Sequence, residues 1–394
     1  MASVLQSFFS ALRNLPIRLY TDEERGFSEI EREIKIVAVN FHFTRMCNYA
    51  CGFCFHTAKT SHVESLENAL RIIRMLRDKG CEKINFAGGE PFLPQYRSML
   101  GEMVKFSKVD CKFPSVSIIS NGVYVTREWF ERYSQYLDIL GISCDSVNED
   151  VNQIIGRGKG DHIKHVRRSA ALCHEFGVMF KMNTVVNRYN WDEDLSDLVQ
   201  ELKPFRWKIF QVLPLEGENK GPNALRDVNR FLISSAQFEK FVNLHRSSLR
   251  NPSMIKVENN AMMQASYILV DEHGRFLDSS TGGKQPTASM LEVGIDEALR
   301  QLGRSAGGGF DSDAFARRDG AYRAGPAWSR PAGGAVGGVP KALPDQGRAS
   351  LSDLACEEEM AACAGPTDIE DLGRAWSAAS GARAPAGRGK ACAP

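Results

Sequence analysis

No stretch of the chain approaches the roughly 20 consecutive apolar residues that a membrane-spanning helix requires, and no secretory leader pattern opens it. An excess of one charge is also missing: 49 Lys and Arg stand against 48 Asp and Glu. That balance excludes a global basic field for nucleic acid or an anionic membrane, so any anion-binding site must be local. A disulfide framework is lacking too. Ten cysteines are thinly spread over 394 residues, except for three packed into eight positions, which points to reduced thiols and a metal site. These absences predict an intracellular protein.

What is present is a repeating alternation of short β-branched apolar runs with longer amphipathic ones, the pattern of βα units around a parallel sheet. Strands are expected at 34–43, 83–87, 115–120, 137–145, 178–186 and 206–214, with helices such as 64–79 and 162–176 between them. Six right-handed repeats curl into a partial (βα)6 barrel, whose chemistry lies at the C-terminal strand ends. The expected organisation is an amphipathic helix and linker at 1–33, a barrel core at 34–215, a mixed extension capping the site at 216–325, and a low-complexity, disordered tail at 326–394. The first segment carries Val4, Leu5, Phe8, Phe9, Leu12 and Leu15 near helical spacing, which fits either packing on its own domain or contact with a membrane surface. The extension includes an expected strand at 267–270 and a turn at 271–274.

The run Cys47-Asn-Tyr-Ala-Cys51-Gly-Phe-Cys54 follows the first strand. Three thiolates on a four-iron cubane leave one iron open to bind a reagent. Zinc usually takes four ligands in a structural site, and His42 or His56 would have to complete one here. The CxxxCxxC spacing resembles the signature of the radical S-adenosylmethionine (SAM) superfamily, which implies a [4Fe-4S] cluster and SAM as cofactors. Turns after the next strands carry Gly88, Gly89 and Glu90, then Ser120 and Asn121, then Ser143 and Asp145. The glycines let backbone approach a ligand closely, and Glu90 accepts hydrogen bonds from an ammonium. The Gly-Gly-Glu-Pro run resembles the superfamily's methionine-binding element.

Parallel strands covered on both faces normally read as apolar, yet Lys181 and Asn183 share one face of the fifth strand and Arg206 and Lys208 one face of the sixth. Interior cations need buried carboxylates or an anionic ligand. Lys83 adds another cation, and the loop Gly156-Arg157-Gly158-Lys159-Gly160 has the composition of a phosphate-holding nest. These residues point to a polyphosphate; internal salt bridges with acids such as Glu216 or Glu218 are the alternative.

The segments NFHFTRMCNYACGFCFHTAKTS, EKINFAGGEPF, SVSIISNG, LGISCDS, IIGRGKG, FKMNTVVNRYN, RWKIFQVLPLEGEN and SYILVDEHGRF, in this order over residues 35–300, resemble the viperin family of radical SAM enzymes. The resemblance implies abstraction of the 4′ hydrogen of a ribonucleoside triphosphate and loss of its 3′ hydroxyl, giving an antiviral 3′-deoxy-3′,4′-didehydro nucleotide. A pyrimidine substrate, CTP or UTP, is expected. By the same resemblance Lys83, Arg157, Lys181, Arg206 and Lys208 hold the triphosphate, Asn183 lies near base or sugar, and Tyr267 lies near the ribose as a hydrogen-atom donor. The implied partners are a flavodoxin- or reductase-type electron donor and cytosolic iron–sulfur assembly factors, with a cytoplasmic location and peripheral contact at the endoplasmic reticulum or lipid droplets. Gly309, Phe310, Asp311, Phe315 and Tyr322 echo the family's closing segment, and Trp328 stands in for its terminal Trp. Two rival functions are a radical SAM peptide modifier with an auxiliary cluster on Cys356, Cys363 and Cys392, and a non-catalytic zinc-stapled interaction protein.

Overall fold

The computed structural model describes residues 36–263, 267–279 and 282–305. The amphipathic segment at the start, the closing-segment residues Gly309 to Trp328 and the three tail cysteines lie outside these residues.

One sheet of ten strands carries the fold, in the spatial order β10-β9-β8-β1-β2-β3-β4-β5-β6-β7. The strands β1 (Ala38–Thr44), β2 (Lys83–Gly88), β3 (Ser115–Ser120), β4 (Ile139–Ser143), β5 (Met179–Val186) and β6 (Arg206–Gln211) pair in parallel and match the six expected repeats. Helices α1 (Leu66–Asp78), α2 (Arg97–Val109), α3 (Arg127–Tyr133), α4 (Glu149–Ile154), α5 (His162–Phe176) and α6 (Ser196–Leu202) lie between them in sequence. Their ends follow local chemistry. Ser65 and Thr126 accept backbone N–H bonds at the starts of α1 and α3, and α5 stops at Gly177 with φ of 67°, a left-handed turn natural to glycine.

Residues 216–300 do more than cap a rim. β7 (Ile255–Glu258) adds a seventh parallel strand beside β6, after helix α7 (Ser235–Ser248). At the other edge β8 (Leu269–Val270) pairs in parallel with β1, and β9 (Arg275–Asp278) and β10 (Gln285–Ser289) continue antiparallel. The expected strand at 267–270 is thus shorter, and Tyr267 precedes it. Four-residue β7 is too brief to stand out as a periodic run.

The outward faces of the strands form the main core. Ile84, Phe86, Val116, Ile118, Leu140, Ile142, Phe180, Met182, Trp207 and Ile209 are all buried in one apolar cluster with the helices. The inward faces carry polar side chains. Asn85 donates to Asn40 at 2.7 Å and accepts from Ser117 at 2.8 Å, forming a ladder across β1, β2 and β3. The strands therefore follow the two-residue period, with a mainly apolar outer face and an inner face that mixes polar side chains with apolar ones such as Ile119 and Phe210.

Among the described residues no helix is long and apolar enough to cross a membrane. Trp207 is fully buried, donates to Thr184 at 2.9 Å and meets the rings of Phe241 and His245. Trp207→Ala should therefore destabilise the fold by about 3–5 kcal/mol, measured by urea unfolding.

Candidate active site

The cysteine loop runs from the end of β1 and is stitched to its surroundings by backbone bonds. Gly89 N–H donates to Thr44 and Glu90 N–H to Met46, each at 2.8 Å, so the Gly-Gly-Glu turn lies directly on the residues before Cys47. A side chain on Gly89 would put a Cβ 2.0 Å from the Met46 carbonyl oxygen, which is why glycine is required there. On the other flank Ala50 and Gly52 donate to Gly156 and Ile155, each at 3.0 Å.

A buried ion-pair network fixes the far end of the loop. Arg45 donates to Glu272 at 2.7 Å, to Glu218 at 3.1 Å and to the Thr57 carbonyl at 3.1 Å. Glu218 also accepts from the Thr57 backbone and hydroxyl at 2.9 and 2.8 Å. Asn219 holds the Phe53 carbonyl and Lys284 the Phe55 carbonyl, at 3.1 and 2.7 Å. Sequence reasoning missed Arg45, Glu272 and Lys284. The signal available was a charged residue in the apolar run before Cys47.

The three thiols fit a cluster better than a single ion. Among the described residues, the only trio of His, Cys, Asp or Glu whose ligand atoms all lie within 4.8 Å of one another is His62, Glu64 and His273. Cys47, Cys51 and Cys54 do not form such a trio, which is compatible with ligands on separate irons of a cubane. His42 and His56 do not complete a zinc site with them; the two rings pack edge to face at 4.3 Å, and His56 Nδ1 lies 3.0 Å from Lys284. Burial pushes the Cys51 thiol up to about 11 and raises Cys47 and Cys54 as well, so iron must displace their protons.

Glu90 is fully buried and already accepts three bonds, from Ser120 Oγ at 2.7 Å, Asn121 N–H at 2.7 Å and Phe92 N–H at 3.0 Å. A carboxylate offers about four lone-pair sites, so one direction remains for an ammonium. Burial raises its pKa to about 7, and hydrogen bonds from the neighbouring backbone and Ser120 oppose the rise. Asn121 reaches back to Asn48 within the cysteine motif at 2.8 Å. Ser143, at the end of β4, gives its carbonyl to His162 at 2.8 Å.

Inside the barrel, the expected cations Lys83, Lys181, Arg206 and Lys208 come together. Burial, then the fields of Lys208, Lys83 and Arg206, push the Lys181 ammonium far below its ordinary pKa, and the Glu258 carboxylate opposes the shift. The absence of a side chain at Gly141 lets Lys181 lie across β4: a Cβ there would sit 2.7 Å from Lys181 Cε. Lys208 is ion-paired with Glu258 and donates to the Tyr267 hydroxyl at 3.2 Å, while Tyr267 donates to Glu258. The acid is on β7, neither Glu216 nor Glu218, and was not anticipated because that strand was not. Asn183 Oδ1 is buried without a hydrogen-bond partner.

Arg157 lies beside the cysteine loop. Its Nε donates to Asp145 at 2.5 Å, beside Cys51 and Cys144. The Gly156–Gly160 loop starts against the cysteine loop: a Cβ at Gly156 would meet the Ala50 carbonyl oxygen at 2.4 Å, so this glycine serves close packing.

Arg45→Met would leave two buried carboxylates without their shared cation. It should cost about 3–5 kcal/mol in urea unfolding and release iron from the reconstituted protein. Unchanged stability and iron retention would show that the network does not secure the loop.

Residues 41–202 match the radical SAM superfamily. The S-adenosylmethionine-dependent nucleotide dehydratase RSAD2 of Danio rerio is 47% identical over 295 residues, covering 74% of this chain and 78% of its own length. The S-adenosylmethionine-dependent nucleotide dehydratase of Flammeovirga pacifica is 34% identical over 73% of this chain and 96% of its own. Among solved structures, native anSMEcpe with bound AdoMet and Kp18Cys peptide superposes with a TM-score of 0.53 at 15% identity, over 71% of this chain and 83% of that one. That likeness shows the fold alone and lends no support to a peptide substrate. With its thiol triad and a glycine turn laid against it, the chain belongs to the viperin-type S-adenosylmethionine-dependent nucleotide dehydratases, radical SAM enzymes that use a [4Fe-4S] cluster and SAM.

Proposed function

We propose that the enzyme converts a pyrimidine ribonucleoside triphosphate, CTP or UTP, to its 3′-deoxy-3′,4′-didehydro analogue, with an antiviral role. The observation that carries this reading is the concentration of positive charge inside the barrel, where Lys83, Lys181, Arg206 and Lys208 converge and Glu258 opposes them. A triphosphate supplies the negative charge that such a site needs.

Cys47, Cys51 and Cys54 would hold the cluster. Gly88, Gly89 and Glu90, with Ser120, Asn121 and Ser143, would hold SAM, Glu90 through its remaining lone pair. When bound, the reduced cluster supplies one electron to SAM, whose cleavage provides the species that removes the 4′ hydrogen. Lys83, Lys181, Arg206 and Lys208 would bind the phosphates, and Asn183 Oδ1 would find its missing partner on base or sugar. Arg157, held by Asp145 through Nε, would steady the cysteine loop and offer its other guanidinium N–H groups to the phosphates. Departure of the 3′ hydroxyl as water consumes one proton and one electron. Tyr267, bonded to Glu258 and Lys208 beside the phosphate site, would deliver both as a hydrogen atom and be restored by the flavodoxin- or reductase-type donor. Cytosolic assembly factors would load the cluster.

Anaerobic turnover of the iron-reconstituted protein with SAM, dithionite and each ribonucleoside triphosphate in turn tests the reading. 5′-Deoxyadenosine should rise sharply with CTP or UTP and little with ATP or GTP; formation independent of nucleotide would overturn the substrate.

Lys181 gives a second prediction. Burial and the neighbouring cations lower its pKa in the free protein, and a bound triphosphate would raise it again, so binding should be linked to proton uptake. Calorimetry at pH 8 in buffers of different ionisation enthalpy should show net proton uptake that vanishes in Lys181→Met. At pH 8 the phosphates are already ionised, so release from the ligand does not mask the effect. Uptake that persists in Lys181→Met would place the titration elsewhere.

A further inference from the structure

Outside the active site, three side chains from two separate segments converge at one edge of the barrel. His62 and Glu64 lie in the segment between the cysteine loop and α1, and His273 lies in the turn between β8 and β9. One ligand atom from each falls within 4.8 Å of the other two. The two imidazoles stack nearly parallel, with centroids 4.2 Å apart and 9° between their planes, and His62 Nε2 lies 3.0 Å from Glu64 Oε1.

We propose that His62, Glu64 and His273 form a site for a zinc-like divalent transition ion, distinct from the iron–sulfur cluster. Two imidazoles and a carboxylate are a donor set that zinc takes when it keeps a fourth position for water. One donor is already oriented by a neighbour: Asn68 donates to the other oxygen of Glu64 at 2.8 Å, an outer bond of the kind that fixes ligand direction. The backbone N–H groups of His62 and His273 donate to Thr60 Oγ1 at 3.3 Å and to Asp271 Oδ1 at 3.0 Å, which holds the main chain at both histidines. Zinc–nitrogen bonds of about 2.0–2.1 Å need the donors somewhat closer together than they stand, and rotation of the exposed His62 ring supplies that movement.

The site's position gives it a structural consequence. Thr60, which accepts from His62, itself donates to Glu272 at 3.2 Å, and Glu272 is the carboxylate that holds Arg45 at 2.7 Å. An ion here would tie the segment after the cysteines to the β8–β9 turn, reinforcing the anchorage of the cluster loop from outside.

The test uses the full chain with its cluster reconstituted, so that the three cysteines are occupied by iron. Zinc is added, weakly bound metal is removed by dialysis against a micromolar-affinity chelator, and zinc and iron are both counted by elemental analysis. The wild type should keep one zinc per chain beside full iron, and its thermal midpoint should rise with added zinc. His273→Ala and Glu64→Gln should each weaken zinc binding by roughly 10–100-fold or more, with iron unchanged. No retained zinc in the wild type, or zinc retained equally in both variants, would overturn the proposal.

Discussion

Arg45 is the residue on which the site depends. Its guanidinium is buried between two carboxylates brought from distant parts of the chain, Glu218 after β6 and Glu272 after β8, and it also holds the Thr57 carbonyl. A buried charge persists only when paired and hydrogen-bonded, and the rigid fork of arginine can satisfy several acceptors at once where a lysine ammonium could not match the geometry. The cysteine loop has no regular secondary structure of its own to hold it. Its shape is borrowed from this network at one end and from the Gly-Gly-Glu turn and the Gly156 loop at the other.

The same economy appears within the barrel. The outward-facing side chains make the apolar core, which leaves the inner faces free to be polar without undermining the fold. Burial first, and then the nearness of like charges, makes the charged form of Lys181 costly in the free protein and lowers its pKa. Electrostatic strain of this kind would be relieved by an anionic ligand such as the proposed triphosphate.

Much of this was legible from the sequence because it rests on short-range signals. The two-residue period placed Lys181 with Asn183 and Arg206 with Lys208, and the thiol spacing followed from three positions in one loop. What escaped was non-local. Glu258 sits on a four-residue strand with no periodic signature, and its role comes from register with β6, where Lys208 pairs opposite Lys256 and Phe210 opposite Glu258. Arg45 looks unremarkable until the carboxylates that meet it, 173 and 227 residues away, are brought into place. The setting of Arg157 escaped for a related reason: the glycines around it allow either an anion nest or tight packing, and the Ala50 carbonyl beside Gly156 is not visible in composition.

The two sides of the barrel are joined in an unequal way. From β8 round to β7 every neighbouring pair of strands shares main-chain hydrogen bonds. Between β7 and the start of β8, across the remaining side, Glu258 is linked to Tyr267 through side chains, with Lys208 bonded to both. Among the described residues that seam is joined by side-chain contacts and by no rung of the sheet. The seam therefore opens without unzipping the sheet, and the groups that meet across it are ones proposed to face the phosphates.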